Sequence, residues 1–311
     1  MATERVPDRI RNCMRSGLVF FTSAVIFLSS CASAPLRDLS PEKSVIAQTP
    51  QALVPVWQEF APEADGALAF FAGKTARPRL ELRALRIDLA APQLRIVVAA
   101  GGRNEKTGDT VLSTKVSSFV RDNALLAGIN ALPFDPVSGT EGEYRENVGV
   151  VIADGVLLSP PHPVFAALVF YDDAHTAIIP QSQIESAVHI SHAVGGFHQI
   201  LINGEPSDHA ENNSSRHPRS AAGISADGKY LYLLVVDGRR LASIGSTEAE
   251  TAAILKQLGA WKGINFDGGG SSSLALRFPD GTVRPVNTPI HNNIPGTERA
   301  VAGCIGVGIS P

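Results

Sequence analysis

The sequence is poor in aromatic residues and in charges of either sign. Of its 311 residues, 6% are aromatic and 18% are charged, and 27 basic against 30 acidic side chains give a formal net charge of −3. A protein that coats nucleic acid needs a strongly basic surface, so this balance argues against that class of partner. The hydrophobic fraction of 44% excludes a disordered chain and predicts a core built mainly from aliphatic side chains.

The N-terminal region has an apolar run too short for a membrane span. Residues 18–28 form eleven apolar or small positions, and a helix of that length covers about 16 Å of the ~30 Å hydrocarbon core. The run and the Arg-containing segment before it are typical of an export signal. Next comes the sequence Leu28-Ser29-Ser30-Cys31, which resembles the bacterial lipobox. We expect residues 1–31 to be a lipoprotein-type signal peptide; the alternative is a plain signal peptide cut near residues 32–34.

Lipidation of Cys31 would attach the exported protein to a membrane through acyl chains. Cysteine is otherwise scarce, since only Cys13 and Cys304 remain, and Cys13 would leave with the signal peptide. A disulfide framework is therefore excluded. Cys304 lies in an apolar run, which predicts a buried and unreactive thiol.

Short β-strands dominate the pattern after a proline-rich segment. We interpret residues 32–79 as a tether with an extended lead-in and residues 80–311 as one domain. Alternating apolar positions predict strands over 85–89 and 94–98, which we expect to pair around Pro92, and a final strand pair over 263–266 and 273–278. Tight hairpins are predicted at Asp154-Gly155, Asn203-Gly204 and Asp227-Gly228.

The clearest helix is predicted over residues 248–258. Thr247 and Glu250 have the spacing of a capping box, and Gly259 stands where a helix-ending glycine belongs. Few other segments show helical periodicity. The fold class predicted is therefore α+β, a single β-rich domain with a mixed, largely antiparallel sheet and a few packed helices.

A glycine-rich loop after the strand at 263–266 is the sharpest candidate for chemistry. It reads Asp267-Gly268-Gly269-Gly270-Ser271-Ser272. Glycines free the backbone, so successive N–H groups can turn toward an anion beside the carboxylate. No Lys follows the glycines, which excludes a Walker loop. The alternative interpretation is a mobile turn with no ligand.

Other polar residues stand at strand ends, where each has both a functional and a structural interpretation. Arg219 could bind a phosphate or simply lie at a strand edge, and Asp237 could act in catalysis or only form part of a turn. Glu298 and Arg299 could contact a ligand or form an ion pair with each other. Asn130 ends a buried strand and needs a hydrogen-bond partner. The histidines lack tight ligand spacing, so we expect no metal and no cofactor.

The order of these segments resembles the phosphodiester glycosidase family, over roughly residues 85–309. The resemblance rests on the following stretches: Gly128-Ile129-Asn130 with Phe134-Asp135, Asn203-Gly204, Pro218-Arg219-Ser220-Ala221-Ala222-Gly223, Leu234-Val235-Val236-Asp237-Gly238-Arg239, Leu258-Gly259-Ala260, Asn265-Phe266-Asp267-Gly268-Gly269-Gly270-Ser271-Ser272 and Glu298-Arg299-Ala300-Val301. Ala131-Leu132-Pro133 departs from the paired glycines usual after the asparagine, which leaves substrate identity open.

The resemblance implies an exported hydrolase that cleaves a sugar from a sugar-1-phosphodiester in envelope or exopolysaccharide metabolism. Asp267 is then the first choice for the carboxylate that stabilises an oxocarbenium-like transition state, with Asp237 and Glu298 next. The expected substrate-binding residues are Asn130, Arg219, Gly268, Gly269, Gly270, Ser271, Ser272 and Arg299. Two alternatives stay open: a non-catalytic envelope polysaccharide-binding protein and a metal-dependent phosphodiesterase.

The lipobox-like segment predicts that Cys31→Ser abolishes lipid attachment. Labelling cells with a fatty-acid probe and fractionating them should show loss of label and release of the protein from membranes. Cys13→Ser is the matched control, because Cys13 lies within the expected signal peptide and its loss should leave labelling intact. Unchanged membrane partitioning of Cys31→Ser would contradict the lipoprotein interpretation.

Overall fold

Antiparallel β-sheets make up most of the structure, a computed structural model that describes residues 52–98, 110–184 and 189–310. The predicted signal peptide with Cys31, and the first part of the predicted tether, lie outside these ranges. Strands β1 to β21 span, in chain order, Gln58–Glu59, Leu68–Ala76, Arg79–Asp88, Leu94–Val98, Thr110–Leu112, Ala127–Asn130, Phe134–Asp135, Tyr144–Asn147, Val151–Ala153, Val156–Ser159, Ala166–Tyr171, Thr176–Pro180, Ile190–Gly195, Gln199–Ile202, Glu205–Pro206, Arg219–Ile224, Tyr230–Val236, Lys262–Asn265, Leu274–Arg277, Val283–Pro285 and Cys304–Ile309.

Helices are few and short within the same ranges. The α-helices α1, α2 and α3 span Val116–Asp122, Asp208–Asn212 and Glu248–Leu258. Single turns of 3₁₀ helix occur at Pro62–Ala64, Gln181–Gln183, Gly269–Ser271 and His291–Asn293. No helix in the described part of the chain has the length and apolar content needed to cross a membrane.

The strands form four sheets, and every pairing between the described strands is antiparallel. An eight-stranded sheet runs β1-β2-β3-β17-β16-β18-β14-β15. Two five-stranded sheets run β10-β9-β13-β11-β12 and β20-β19-β6-β21-β4, and a small sheet runs β5-β8-β7. The predicted β-rich α+β class is confirmed.

The main core lies between the three large sheets. Alternation of side chains between the two faces of a strand explains how one sheet contributes to two apolar layers. In β17, Leu231, Leu233 and Val235 belong to this core, whereas Leu234 and Val236 pack on the opposite face against α3. Because successive side chains of a strand point to opposite faces, one strand serves two apolar layers. The eight-stranded sheet is therefore buried on both sides in this region.

Several elements predicted from local signals are confirmed. Helix α3 begins with the Thr247–Glu250 capping box and ends at Gly259, whose φ of 113° is left-handed. The three predicted hairpins join β9 to β10, β14 to β15 and β16 to β17. Cys304 is buried, and burial raises the pKa of its thiol.

Two predicted strand pairings are wrong, although the strands exist. Strand β3 pairs with β2 and β17, whereas β4 pairs with β21 in another sheet. Likewise β18 lies in the eight-stranded sheet and β19 in a five-stranded one. The connections are short enough for hairpins, but each one crosses from one sheet to another. The eight-stranded sheet also takes in β1 and β2, which precede residue 80, the predicted start of the domain.

Candidate active site

The glycine-rich loop crosses between two sheets. Strand β18 ends at Asn265, Phe266 is fully buried behind it, and β19 begins at Leu274 in the neighbouring sheet. Between them the chain passes through one 3₁₀ turn at Gly269–Ser271. The loop is therefore anchored at both ends by buried structure, unlike the mobile turn that was the alternative interpretation.

Asn130 holds both ends of this loop. Its Nδ2 donates to the carbonyl oxygen of Asp267 at 2.6 Å, and its Oδ1 accepts from the Ser273 N–H at 3.1 Å and from the Ser220 hydroxyl at 2.7 Å. The side chain is 1% exposed. We predicted substrate binding for Asn130, but its buried and hydrogen-bonded amide positions the loop instead.

Two glycines of the loop make room for arginines. Gly269 has a left-handed φ of 61°, and a Cβ there would lie 3.1 Å from a guanidinium nitrogen of Arg239. At Gly270 a Cβ would lie 2.5 Å from a guanidinium nitrogen of Arg299. A side chain at either position would therefore displace an arginine from the loop.

The loop amides are largely used within the protein. The Gly269 N–H donates to the Pro218 carbonyl at 2.8 Å, Ser271 donates to Gly268 at 3.1 Å, and Ser272 donates to Gly269 at 3.4 Å. Ser272 is also buried. Most of the backbone N–H groups that we expected to bind an anion therefore donate to carbonyl oxygens of the protein instead. Binding of an anion must then rely on charged side chains.

An open cavity of about 240 Å³ lies over the loop. It is lined by Phe197, His217, Arg219, Arg239, Gly268, Gly269, Gly270 and Arg299. Three arginine residues line one small space, and arginine is the side chain best suited to bind phosphate or carboxylate through paired N–H groups. The cavity thus favours an anionic ligand.

The carboxylate of Asp267 lies at this loop, next to the Gly268 that lines the cavity. Burial raises its pKa to about 6, while hydrogen bonds from Ser271 and Gly268 and the charge of Arg299 act in the opposite direction. Arg299 in turn donates to the Ser271 hydroxyl at 3.2 Å and to His291 Nδ1 at 3.0 Å. Asp267, Ser271 and Arg299 therefore form one connected polar group.

Arg219 lies at the edge of the cavity but is only 6% exposed. Its guanidinium donates to Glu248 Oε1 at 3.2 Å and to the carbonyl oxygens of Ser246 and Ser215 at 3.2 and 2.9 Å. These contacts occupy all three of its nitrogens in part. Because Glu248 and two backbone carbonyls already accept hydrogen bonds from Arg219, fewer of its N–H groups are free to bind a phosphate than we predicted.

Arg239 is exposed and lines the same cavity. It has a left-handed φ of 56°, which is uncommon for a residue with a side chain. We did not predict it as a site residue, although it follows Asp237-Gly238 at the end of a buried strand. Its position just after β17 is the feature of the sequence that could have identified Arg239 as a site residue.

Asp237 is a buried structural carboxylate. Arg240 donates to its Oδ2 at 2.8 Å, and Asn287 Nδ2 and the Thr288 N–H donate to its Oδ1 at 3.1 and 3.0 Å. Burial raises the pKa of Asp237, and these hydrogen bonds oppose that shift. Asn287 also donates to the Ser272 carbonyl, so Asp237 is connected to the glycine-rich loop through Asn287.

Glu298 also turns away from the cavity. It accepts from the Ser273 hydroxyl at 2.7 Å and from the hydroxyl and N–H of Ser117 at the start of α1. Asp237 and Glu298, our second choices for catalysis, are thus held by structural partners. Within the residues described, no three His, Cys, Asp or Glu side chains converge in a geometry that would hold a metal ion.

Comparison with known proteins gives a family match over much of the chain. The sequence profile described as phosphodiester glycosidase matches residues 123–308. A curated relative, the SPbeta prophage-derived uncharacterized protein YomE of Bacillus subtilis, is 28% identical over 174 residues. That alignment covers 52% of this chain and 26% of the relative, so the chain spans about a quarter of the length of the protein it matches.

Solved structures share the fold at low sequence identity. The zebrafish N-acetylglucosamine-1-phosphodiester alpha-N-acetylglucosaminidase catalytic domain, auto-inhibited by its pro-peptide, matches with a TM-score of 0.60 and 18% identity, over 84% of this chain and 86% of that one. A hypothetical protein from Synechocystis matches with a TM-score of 0.58 and 16% identity, over 78% of this chain and 62% of that one.

Two of the three arginines at the cavity, Arg239 and Arg219, should differ in what their loss affects. Arg239→Ala should weaken binding of glucose 1-phosphate about tenfold or more, because a charge-assisted hydrogen bond is worth roughly 1.5–3 kcal/mol, and should leave the melting temperature near that of the wild type. Arg219→Met should instead lower the free energy of unfolding, by up to about 3–5 kcal/mol, because the buried Glu248 then keeps only Asn213 and His209 as partners. Calorimetric titration and denaturant unfolding measure the two effects.

Arg219→Met combined with Glu248→Leu is the matched control for stability. Removing both charges should recover most of the loss, since a buried pair contributes little compared with an apolar replacement. If Arg219→Met keeps full stability but loses ligand binding, Arg219 serves the ligand, and the assignment above is wrong.

Proposed function

Because the chain belongs to the phosphodiester glycosidase family, we propose that it hydrolyses the bond between the anomeric carbon of a sugar and the phosphate oxygen of a sugar-1-phosphodiester. The observation that carries the proposal is a half-buried carboxylate, Asp267, beside a cavity lined by three arginines. The carboxylate can stabilise a developing positive charge, and the arginines can stabilise a negative one. The name of the zebrafish neighbour makes an N-acetylglucosamine 1-phosphodiester the first substrate to try.

The arginines suit the charge that the leaving group gains. A phosphodiester carries one negative charge, and breaking the bond to the sugar leaves a phosphate monoester with a second. Arg239 is exposed toward the cavity, and Arg299 lies against Gly270 with only part of its guanidinium engaged. Donors that are already in place stabilise such developing charge more than the ground state, which raises the rate of bond cleavage.

Asp267 suits the positive charge on the sugar. As the C–O bond breaks, the anomeric carbon becomes oxocarbenium-like, and a nearby carboxylate stabilises it or bonds to it. With a pKa of about 6, Asp267 is ionised at neutral pH. Water supplies the oxygen that ends on the sugar, and its protons pass to the products and solvent.

A single free carboxylate is sufficient for this reaction. Ordinary glycosidases need a second carboxyl group to protonate the leaving oxygen, because an alkoxide leaves poorly. A phosphate monoester leaves readily without that help. The structural roles of Asp237 and Glu298 are therefore compatible with catalysis, since neither has to act as an acid.

For location we propose an exported bacterial lipoprotein anchored through Cys31, facing the periplasm or the outer membrane. The support is the lipobox-like segment, together with Ala32 after the cysteine, where an aspartate would retain the protein at the inner membrane. Such a location fits a sugar-phosphodiester or envelope polysaccharide as substrate.

Isotope labelling tests which bond is cleaved. Hydrolysis of N-acetylglucosamine 1-(methyl phosphate) in ¹⁸O-labelled water should give methyl phosphate without label, read from the ³¹P NMR isotope shift, because water attacks carbon. Label in the phosphate would mean attack at phosphorus and would identify a phosphodiesterase instead. Binding without turnover would indicate the non-catalytic alternative.

Asp267→Asn tests the carboxylate. The variant keeps the shape but not the charge, so kcat should fall about 10²–10³-fold with KM little changed. In the wild type, kcat/KM should rise with pH through about 6 as Asp267 loses its proton, and this limb should disappear in the variant. A wild-type rate that instead falls through pH 6 would show that Asp267 acts as an acid.

The melting temperature supplies the control for this variant. The pKa of Asp267 lies above its ordinary value of 3.8, so the folded protein holds the proton more tightly than the unfolded chain. Stability contributed by this group therefore falls as pH rises from about 4 to 6. Asp267→Asn should melt at the same temperature or higher at pH 7.5, which separates loss of catalysis from loss of folding.

A further inference from the structure

His291 is a buried histidine that the chemistry above does not use. It begins the 3₁₀ turn His291–Asn293, and its side chain is 8% exposed. Its Nδ1 accepts a hydrogen bond from Nε of Arg299 at 3.0 Å, and Arg299 lines the cavity over the glycine-rich loop. His291 therefore contacts one of the arginines that the proposed mechanism assigns to the leaving phosphate.

This hydrogen bond fixes the protonation state of His291. Nε of a guanidinium always carries a hydrogen, so Nδ1 of the imidazole has to be the acceptor. A neutral imidazole has one acceptor and one donor nitrogen, and its proton must then lie on Nε2. Burial lowers the pKa of His291, and the charge of Arg299 lowers it further. The ring is therefore neutral at neutral pH, with its acceptor directed at Arg299.

Arg299 uses part of its guanidinium for support and leaves part of it free. Nε is bound to His291, and Nη1 donates to the Ser271 hydroxyl at 3.2 Å. The guanidinium also lies against Gly270, where a Cβ would lie 2.5 Å from Nη2. Within the residues described, Nη2 has no hydrogen-bond partner. Two nitrogens thus hold the group in place, and the third is free to donate to a ligand in the cavity.

The turn that carries His291 is itself closely constrained. The His291 N–H donates to the carbonyl oxygen of Thr297 at 3.0 Å. Asn292 and Asn293 follow with left-handed φ values of 53° and 61°, a region that asparagine tolerates better than most side chains. Gly139 packs against the imidazole, since a Cβ there would collide with Nε2. Two successive residues of this kind carry a local cost that is typical of functional sites, and they leave the imidazole one position.

Arg219 and Arg299 both line the cavity, but their partners differ in charge. Arg219 donates to the carboxylate of Glu248, which neutralises it. Arg299 donates to a neutral imidazole, although a carboxylate would accept a stronger, charge-assisted hydrogen bond. Burial lowers the pKa of Arg299, and the charge of Asp267 opposes that shift. A neutral acceptor orients the guanidinium and leaves its positive charge available to an anion.

We propose that His291 is a positioning residue for the reaction. Its neutral Nδ1 holds the guanidinium of Arg299 so that Nη2 meets the oxygen of the departing phosphate, without cancelling the charge that stabilises this oxygen. His291 gives and accepts no proton in the reaction. This inference rests on the proposed function. Because the phosphate gains its second charge only as the C–O bond breaks, a correctly held Arg299 acts mainly in the transition state.

The test compares two substitutions of nearly the same size. Only His291→Asn keeps an acceptor at the place of Nδ1, whereas His291→Leu puts a methyl group there. With N-acetylglucosamine 1-(methyl phosphate), His291→Leu should lower kcat about tenfold and change KM less than about twofold, and His291→Asn should recover most of the rate. Ile294→Ala is the matched control, because it truncates an exposed side chain just after the same turn and should leave kcat unchanged.

A double-mutant cycle tests whether His291 acts through Arg299. In an Arg299→Ala background, His291→Leu should cause no further loss of kcat, because no guanidinium remains to be held. Losses that multiply in full would overturn the proposal, and so would equal kcat values for His291→Leu and His291→Asn. Either result leaves the glycosidase proposal intact. If His291→Leu does not fold, as judged by its thermal melt, His291→Ala takes its place as the variant without an acceptor.

Failure of the proposed function has a different result. If the wild type does not hydrolyse the diester, that function fails, and calorimetric titration with methyl phosphate decides the role of His291 alone. Weaker binding by His291→Leu than by His291→Asn would support an Arg299 that His291 holds for an anion. Equal affinities, or no binding by the wild type, would overturn it.

Discussion

The site depends on one buried amide. Asn130 ends β6 in a five-stranded sheet. Its side chain forms hydrogen bonds with Asp267 and Ser220, which belong to the side of the eight-stranded sheet, and with Ser273, which precedes β19 in the five-stranded sheet. Each buried hydrogen bond contributes modestly, but leaving one of these groups unpaired costs about 1–3 kcal/mol. The loop therefore has one low-energy path between the sheets, and the position of Asp267 follows from that path.

Two ion pairs lie at the N-terminus of α3. Glu248 and Glu250 lie in the first turn of α3, where the helix dipole favours negative charge, and they bind Arg219 and Arg216. Glu248 thus neutralises Arg219, whereas Arg239 and Arg299 supply the positive charge of the cavity. Asp267 can ionise there because Arg299 and Ser271 compensate part of its lost hydration.

Sequence reasoning succeeds here where the signal is local. The capping box at Thr247, the glycine turns and the glycine-rich loop were all predicted, because each depends on neighbouring residues. Sheet membership depends on contacts far apart in the chain, so the two strands that flank the loop were wrongly expected to pair. For the same reason the sequence offered no way to see that Arg219 is buried against Glu248 and that Arg239 is exposed. Residue type marked the candidates, and only tertiary packing distinguishes those that face a ligand.

One strand end holds both the glycine-rich loop and the cavity wall at Phe197. Asn265 ends β18; the loop that carries Asp267 leaves from it, and its backbone N–H and carbonyl bind the segment that carries Phe197 and His198. The loop is constrained by glycines that admit arginines and by the amide of Asn130, so few substitutions fit there. The segment of Phe197 and His198 is held to Asn265 by backbone hydrogen bonds and to Phe165 by ring contacts. The cavity wall at Phe197 is therefore tied to the same strand end as the loop that carries Asp267.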